Sequence, residues 1–236
     1  MVHRNIPLLA IPCINRGDLL SRALASIDVE PDRLIVIDNS RDGLSFDCPP
    51  HLLPILEVIV PASNLGFGGS VNHAICGEPG AAWWCIANAD VEFGPGDLAR
   101  LADEMAKGGP RWVGINDWRV FGLSREAVEA VGYFDQSLFP AYLEDCDYEY
   151  RCSLTGVPWY FIPGTTEHVG SAAIRSDDSY RRSNERSYAA NLAYYREKWG
   201  GGHRGGEVYR TPFNRGGHPR EWVLPSPSRL RDLQWR

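Results

Sequence analysis

The sequence predicts an α/β fold in which a mostly parallel sheet is covered by helices. Short apolar runs alternate with helical patterns of apolar residues through the first half of the 236-residue chain. Asp38 and Asp90 each follow such a run, as expected where the carboxyl ends of strands carry a ligand site. Apolar residues make up 44% of the chain and charged residues 23%, which excludes a disordered polypeptide.

The first half follows the order β-α-β-β-α-β-α. Asp18 is expected to cap the first helix, whose apolar residues recur at helical spacing. A Gly-rich stretch at 64–69 precedes a short helix that runs to about Cys76. The other predicted elements are strands at 6–11, 34–37, 55–60 and 83–87 and helices at 18–27 and 96–106.

The second half is less regular. Ser124 is expected to cap a helix that runs to about Val131, and His168 is expected in a loop. The other predicted elements are one or two strands within 112–123, a turn at 132–135, a helix at 144–154, a strand at 158–162 and a long polar helix at 179–199. Prolines at 212, 219, 225 and 227 predict an irregular tail after Gly200.

Charge divides the chain unevenly. Residues 1–170 hold 11 basic and 23 acidic side chains, whereas residues 171–236 hold 13 basic and 7 acidic ones. An acidic body is typical of a cation-binding site, and a basic tail is typical of a segment that contacts an anion. A solvated basic helix explains the tail equally well.

Cysteine spacing and hydropathy indicate the compartment. The six cysteines form no C-x-x-C pair, which predicts free thiols in a reducing environment. No apolar run approaches the roughly 20 residues of a membrane span, and the Pro-broken start is not typical of a signal peptide. We therefore expect a cytoplasmic protein, either free or peripheral at the inner face of the membrane.

Asp38 closes an apolar strand and is followed by Asn39 and Ser40. This tripeptide is good turn chemistry, which is one explanation of the aspartate. In the other explanation, the carboxylate accepts the imide N–H of a uracil or thymine ring, which presents one donor between two carbonyls. The residue alone does not decide between the two.

Residues 64–72 read Asn-Leu-Gly-Phe-Gly-Gly-Ser-Val-Asn, with three glycines in four positions before a helix. Glycines let the backbone approach a ligand closely and aim N–H groups at it. The spacing is neither G-x-G-x-x-G nor a Walker loop. A plain strand-to-helix turn needs fewer glycines, so the pattern favours a ligand-facing loop.

Asn88-Ala89-Asp90 follows the strand predicted at 83–87. A lone carboxylate at a strand end holds Mg²⁺ or Mn²⁺ only if substrate phosphates and water complete the coordination shell. A turn aspartate is the alternative. His168 lies in a Gly-flanked segment, and a single histidine of this kind is more often structural than a metal ligand.

Four carboxylates occupy six positions at 144–149: Glu144, Asp145, Asp147 and Glu149. Like charges at this density destabilise a helix unless cations or buried chemistry use them, although the helix dipole favours acids in the first turn. A solvated helix face is the alternative. The neighbouring tyrosines and leucine make the segment too apolar for a simple surface.

Taken in order, these segments resemble the inverting glycosyltransferases of family 2, which have the GT-A fold, and within them the rhamnosyltransferase-like and galactofuranosyltransferase-like branch. The resemblance covers about residues 5–200, and the joint order of the motifs is more specific than any one of them. The motifs are Val36-Ile37-Asp38-Asn39-Ser40, Asn64-x-Gly66-x-Gly68-Gly69-x-x-Asn72, Asn88-Ala89-Asp90-Val91, Val131-Gly132-Tyr133-Phe134-Asp135, Glu144-Asp145-Cys146-Asp147 with Arg151, His168, and Arg196-Glu197-Lys198-Trp199-Gly200.

The resemblance implies a role for each motif. Asp38 would read the base of the donor substrate, a UDP or dTDP sugar. Asp90 would match the last acid of the family's D-x-D motif and bind Mn²⁺ or Mg²⁺, with His168 as a second ligand. Asp145 would be the catalytic base, and Glu144 would help to position the acceptor or its loop. The donor pocket would also include Asn64, Gly66, Gly68, Gly69, Asn72 and Asn88, the last of which replaces the family's first acid.

The resemblance also implies an organisation and a reaction. Residues 1–110 would bind the nucleotide sugar, residues 111–170 would hold the acceptor and the base, and residues 171–236 would form a basic helix and tail that contact an anionic group. The base would remove a proton from the acceptor hydroxyl during a single displacement that inverts the anomeric centre. The transferred group would be a hexose or deoxyhexose. The acceptor stays open among a lipid-linked saccharide, a metabolite, a protein and a modified nucleic acid.

Two alternatives belong to other classes. A sugar-1-phosphate nucleotidyltransferase has a related sheet, but it carries a Gly-rich basic loop near its N-terminus, where this chain has one Arg and one Gly at 10–17. A non-enzymatic module that binds nucleic acid or an acidic membrane through the basic tail leaves Asp90, Asp145 and His168 unexplained.

Overall fold

The computed structural model describes residues 5–168 and 178–199, and of residues 178–184 it describes the backbone alone. They form an α/β fold built on a seven-stranded mixed sheet. The strands are β1 (Leu9–Cys13), β2 (Leu34–Asp38), β3 (Leu56–Ile59), β4 (Trp83–Ala87), β5 (Val91–Glu92), β6 (Trp112–Ile115), β7 (Asp117–Ser124), β8 (Trp159–Ile162) and β9 (Glu167–His168). The helices are α1 (Gly17–Ala25), α2 (Gly66–Gly77), α3 (Asp97–Met105), α4 (Arg125–Val131), α5 (Glu144–Thr155) and α6 (Asp178–Trp199).

The sheet has the strand order β3-β2-β1-β4-β7-β6-β8. Strands β3, β2, β1 and β4 are parallel to one another, so their carboxyl ends meet at one edge. Strand β7 is antiparallel to β4 and β6, whereas β8 pairs with β6 in parallel. The short strands β5 and β9 form a separate antiparallel pair beside that edge. The predicted fold class is therefore confirmed.

Two apolar cores cover the two faces of the sheet, because successive side chains of a strand point to opposite faces. On one face, Leu9 and Ile11 of β1 pack with Leu20 and Leu24 of α1. On the other face, Ala10 packs with α2, α4 and α5. Helices α1 and α3 thus cover one side, and α2, α4 and α5 cover the other.

Three predicted features are wrong in detail. Asp18 does not cap α1, because the helix begins at Gly17 and Asp18 lies in its first turn, where it accepts hydrogen bonds from Arg16 at 2.7 and 2.6 Å. His168 lies in strand β9 and not in a loop. The glycines at 66, 68 and 69 belong to α2 itself and not to a loop before it.

Other predictions agree closely. Strand β4 has the predicted limits, and the strand pattern at 112–123 resolves into the two antiparallel strands β6 and β7. Ser124 caps α4, since its Oγ accepts the N–H of Ala127 at 3.1 Å. The six cysteines are free thiols, as expected. Within the described ranges, every helix is too short or too polar to cross a bilayer.

Helix α6 is polar in sequence but buries part of its length. Asn191, Tyr195, Lys198 and Trp199 are almost fully buried against the segment around α5. The Lys-Trp pair that ends the helix is thus an internal contact. The segment 169–177 and the predicted tail from Gly200 onward lie outside the described residues.

Candidate active site

Two of the predicted site residues, Asp38 and Asp90, lie at the carboxyl edge of the parallel strands. Asp38 is the last residue of β2 and lies beside Cys13, the last residue of β1. It is 2% exposed, and its Oδ1 accepts the N–H of Ser40 at 2.8 Å. One carboxylate oxygen therefore forms the turn, and, within the described part of the chain, no hydrogen bond reaches the other oxygen.

Asp90 and His168 meet although they are far apart in sequence. Strand β5 pairs with β9 so that Val91 lies opposite His168, which brings the two side chains together. His168 Nε2 lies 2.9 Å from Asp90 Oδ2, and both side chains are largely buried, at 15% and 13% exposure. A carboxylate oxygen and an imidazole nitrogen thus share one point beside the sheet edge.

The surroundings of Asp90 connect it with Asp38. Burial raises the pKa of Cys13 to about 12, and the negative charges of Asp38 and Asp90 add to that rise. The pKa values of Arg16 and Arg119 are raised chiefly by hydrogen bonds to Asp18 and Asp117. The negative charge of Asp90 adds to both rises. Two carboxylates and two guanidinium groups therefore lie around the same strand ends.

These residues fit a divalent cation in part. Among the residues that the structure describes, no group of three or more His, Cys, Asp or Glu side chains has the arrangement of a metal site. Asp90 supplies one oxygen and His168 one nitrogen, and these two atoms lie 2.9 Å apart. A cation held there would need its remaining ligands from substrate phosphates and water, which Mg²⁺ and Mn²⁺ accept.

Asn88 precedes Asp90 at the end of β4. Its N–H donates to the carbonyl of Arg119 at 2.8 Å, which extends the ladder between β4 and β7 by one step. The arginine belongs to an ion pair with Asp117. Arg119 is thus a basic residue near the predicted donor site that sequence reasoning missed, because no motif surrounds it.

The Gly-rich stretch serves close packing of the chain on itself. Gly66 has φ +69°, and a Cβ there would lie 2.7 Å from the carbonyl oxygen of Pro140. The N–H of Phe67 donates to that same oxygen at 2.7 Å. At Gly68 a Cβ would lie 3.2 Å from the Cβ of Phe134. The glycines therefore admit the segment 134–140, which leads into α5.

The asparagines of this region are also used internally. Asn64 Oδ1 accepts the N–H of Gly66 at 2.8 Å. Asn72 is buried, with Nδ2 donating to the carbonyl of Phe134 at 2.8 Å and Oδ1 accepting its N–H at 2.9 Å. Asn39, which sequence reasoning did not single out, accepts the N–H of Leu65 and donates to Ser70. These contacts favour positioning roles over ligand contact for Asn64 and Asn72.

The four carboxylates of α5 have different surroundings. Asp147 is fully buried and accepts hydrogen bonds from Arg151 at 2.8 Å, Lys198 at 2.6 Å and Trp199 at 2.9 Å. Glu149 accepts the indole N–H of Trp118 at 2.5 Å. These two acids join structural elements. Of the four acids, Glu144 and Asp145 therefore remain as the candidates for catalysis.

Glu144 and Asp145 begin α5 side by side. Glu144 is 7% exposed, and its Oε2 accepts no hydrogen bond within the described ranges. Burial raises the pKa of Glu144 to about 8, and the charge of Asp145 adds to that rise. Asp145 is half-buried and accepts the N–H of Cys146 through Oδ1 at 2.8 Å. Glu144 therefore holds a proton at neutral pH.

The backbone before this pair is strained. Tyr142 has φ +82° and Leu143 has φ +72°, and neither is a glycine. Such conformations cost on the order of 1–3 kcal/mol each, and they cluster at functional sites. Asn191 of α6 donates to the carbonyls of Ala141 at 2.9 Å and Tyr142 at 3.1 Å. A buried amide thus holds the turn from which α5 starts.

Asp97 is a further residue that sequence reasoning missed. Its Oδ2 accepts the N–H groups of Thr165 and Thr166 at 2.8 and 2.7 Å and the hydroxyl of Thr166 at 2.6 Å. These bonds fix the segment that continues into β9 and His168. A cavity of about 490 Å³ nearby, between α3 and residues 162–165, contains none of the predicted site residues.

Comparison with known proteins gives the site a context. Residues 9–141 match the sequence profile of glycosyl transferase family 2. A galactofuranosyl glycosyltransferase of Leishmania donovani is 34% identical over 96 residues, which cover 40% of this chain and 21% of that protein. An N-acetylglucosaminyl-diphospho-decaprenol L-rhamnosyltransferase of Mycobacterium tuberculosis is 29% identical over 115 residues, which cover 43% of this chain and 37% of the relative.

The matched regions span well under half of these two relatives, so their substrates are not carried over with the match. The family profile, in contrast, covers more than half of this chain, from β1 to the turn before α5. This favours sugar transfer over the nucleotidyltransferase and the non-enzymatic binding module. The chain belongs to glycosyl transferase family 2.

Proposed function

We propose that the protein transfers a hexose or deoxyhexose from a UDP or dTDP sugar to an acceptor hydroxyl, with inversion at the anomeric carbon. The observation that carries this proposal is the contact between Asp90 and His168 beside Asp38, at the carboxyl edge of a parallel sheet. Ligands of such sheets bind beyond that edge. In this proposal residues 1–110 bind the donor and residues 111–170 hold the acceptor and the base.

Asp38 binds the base of the donor nucleotide. Its carboxylate is buried at the strand end, and the turn with Ser40 uses one of the two oxygens. The other oxygen accepts the imide N–H of uracil or thymine. Adenine has no such donor, and an unpaired buried carboxylate is costly, so the site discriminates against ADP.

Asp90 and His168 would hold Mn²⁺ or Mg²⁺ together with the donor diphosphate. When bound, the cation neutralises the charge that builds up on the departing nucleoside diphosphate. Arg16 and Arg119 interact electrostatically with Asp90, so the protein itself also supplies positive charge at this place. Asn88 occupies the position where a first acid would add negative charge, which leaves the cation more strongly attractive to phosphate.

Asp145 is the base that removes the proton of the acceptor hydroxyl. The buried Glu144 beside it holds a proton at neutral pH, because its pKa is raised to about 8. Asp145 is the more exposed member of the pair, so an acceptor can reach it. Its carboxylate accepts a proton as the acceptor oxygen attacks the anomeric carbon.

The acceptor is a saccharide carried on a lipid diphosphate. The mycobacterial relative is named for an acceptor of that class. Phe139 is 46% exposed in the segment that leads to the acid pair, where an aromatic ring can stack on a sugar face. Such an acceptor places the protein in the cytoplasm, at the inner face of the membrane, where the basic tail contacts its anionic groups.

The test is donor binding followed by transfer. UDP, dTDP and ADP are titrated calorimetrically with Mn²⁺, and we expect the two pyrimidine nucleotides to bind far more tightly than ADP. Release of UDP or dTDP from UDP-galactofuranose or dTDP-L-rhamnose is then followed with a short-chain N-acetylglucosaminyl diphosphate lipid. Equal affinity for ADP contradicts the role of Asp38. Salt-sensitive nucleic-acid binding without any sugar turnover contradicts the function as a whole.

A further inference from the structure

The start of α5 is held from α6 at two separate places. At the end of the first turn, Asp147 binds Lys198 and Trp199 of α6. Before the first turn, the amide of Asn191 donates to the carbonyls of Ala141 and Tyr142. The first contact joins two helices, whereas the second holds a turn of three residues directly before Glu144 and Asp145.

The turn needs such a holder because of its backbone. Tyr142 and Leu143 both have φ in the left-handed region, which non-glycine residues rarely adopt. Such conformations persist only where the surroundings over-determine them. Asn191 is 3% exposed, so its two hydrogen bonds are shielded from water on the donor side, and losing them removes this donor from two carbonyls in a partly buried place.

The direction in which α5 leaves this turn sets where the carboxylates of its first turn lie. Glu144 follows Leu143 directly, and Asp145 follows next. If the turn relaxes to ordinary φ values, Glu144 and Asp145 at the very start of α5 move, while the contacts of Asp147 still hold the end of the same first turn. The effect of Asn191 is therefore concentrated on the acid pair and not on the helix as a whole.

We propose that Asn191 is a positioning residue for the transfer reaction, because it holds the strained turn that aims Asp145 at the acceptor hydroxyl. This inference rests on the proposed function of Asp145 as the base. Asn191 touches neither donor nor acceptor in this role. Its contribution appears in the rate of the chemical step and not in donor affinity.

The test compares Asn191→Leu with a matched control on the same helix. Leucine keeps the volume of the side chain but has no N–H donor. The control is Tyr194→Phe, which removes the hydrogen bond from the Tyr194 hydroxyl to Asp135 at 2.8 Å and leaves the turn alone. Single-turnover release of UDP or dTDP from the donor that binds, Kd of that nucleotide with Mn²⁺, and Tm are measured for each variant.

We expect Asn191→Leu to lower the single-turnover rate roughly 10- to 100-fold, the usual effect of a small misplacement of a reacting group. The Kd of the nucleotide stays unchanged, and Tyr194→Phe keeps the normal rate. A normal rate in Asn191→Leu overturns the inference. So does a loss of rate that is matched by loss of nucleotide binding or of folded protein, since that is what a merely structural residue produces.

A double-mutant cycle with Asp145→Asn distinguishes this inference from the proposed function. If Asn191 acts through Asp145, adding Asn191→Leu to Asp145→Asn lowers the rate no further. If the two losses multiply, Asn191 acts elsewhere and the inference is wrong, while Asp145 keeps its role. A normal rate in Asp145→Asn alone removes the base assignment itself, whatever Asn191→Leu does.

Discussion

At the scale of single residues, the surroundings of the carboxylates in α5 distinguish the acids that join structural elements from those that are candidates for catalysis. Asp147 is buried among three hydrogen-bond donors, and Glu149 binds an indole N–H. Glu144 is buried with one oxygen unpartnered among the described residues, and Asp145 is half-exposed beside it. A base must be within reach of the acceptor hydroxyl, and half-exposed Asp145 is the acid of this pair that meets this condition.

The first prediction concerns that base. Asp145→Asn keeps the size of the side chain but removes its basicity, so we expect transfer to fall by roughly 10²–10⁴, the usual contribution of general base catalysis. Glu144→Gln loses less, since Glu144 is protonated at neutral pH. Single-turnover transfer is measured beside nucleotide affinity. A loss of affinity equal to the loss of rate would contradict the assignment.

The second prediction is a pH dependence of stability caused by Glu144. Its pKa is raised from 4.5 to about 8 in the folded protein, so the folded state binds the extra proton between those values. Stability from this group is therefore full below pH 4.5 and falls as the pH rises to 8, by on the order of a few kcal/mol.

Glu144→Gln removes this dependence. We expect the variant to gain stability relative to the parent protein as the pH rises from about 5 to 8, as measured by urea unfolding at several pH values. Parallel stability curves for the two proteins over this range would show that Glu144 does not titrate there.

At the scale of elements, the start of α2 and the segment before α5 are built for each other. Gly66 combines a positive φ with a backbone approach that leaves no room for a Cβ. Asn72 then holds the backbone of Phe134 from the next turns of the same helix. The donor side of the sheet edge is thereby joined to the segment that leads into the acid pair.

The third prediction tests this junction. Gly66→Ala should destabilise the protein by about 1–3 kcal/mol, because alanine at φ +69° is strained and its Cβ would lie 2.7 Å from the carbonyl oxygen of Pro140. Gly77→Ala, at the end of the same helix, is the control, since no atom lies within 4 Å of the added Cβ. Equal unfolding free energies for the two variants would refute the packing role.

The fourth prediction concerns the contact between α5 and α6. Asp147→Asn leaves Arg151 and Lys198 buried with less countercharge, which should cost about 3–5 kcal/mol of unfolding free energy. Asp145→Asn, two residues away and half-exposed, should cost little. Denaturant unfolding of both variants checks this contrast. A similar loss in both would mean that Asp147 is not the structural acid of the group.

At the scale of the whole molecule, the fold brings residues that are far apart in sequence to one sheet edge. Asp38 ends strand β2, and Asp90 lies in the turn after β4. The pairing of β9 with β5 places His168 beside Asp90. Asp97 anchors the segment before β9 to α3. The candidate metal pair therefore exists only when the chain is folded, and its loss should affect ligand binding before it affects the cores.

The fifth prediction follows from that assembly. Mn²⁺ should increase the thermal stabilisation by UDP or dTDP, and Asp90→Ala should largely abolish the increase, because stabilisation by a ligand at fixed concentration grows with the logarithm of its affinity. The control is Asp42→Ala, which removes one negative charge at an exposed position. Full transfer activity in excess EDTA would remove the metal from the mechanism.

Much of the architecture was predictable from local patterns. Apolar runs and helical periodicity gave the limits of β4 and the cap of α4, because hydrophobic burial and capping depend on near neighbours. The strand of His168 was missed, since a two-residue strand has no pattern of its own and forms only where β5 lies beside it. The roles of Asn39, Asp97 and Asn191 also depend on partners distant in sequence.

The sequence by itself determined the α/β class, the order of most elements and the short set of acids and histidine from which a site can be built. Only the tertiary structure decided which of these groups meet, as Asp90 and His168 do. It also decided which of them are used in internal hydrogen bonds, as Asp147 and Asn72 are. The physical reason is the range of the forces. Periodic burial is written in neighbouring residues, whereas hydrogen bonds, ion pairs and pKa shifts depend on atoms that only folding brings within a few ångströms.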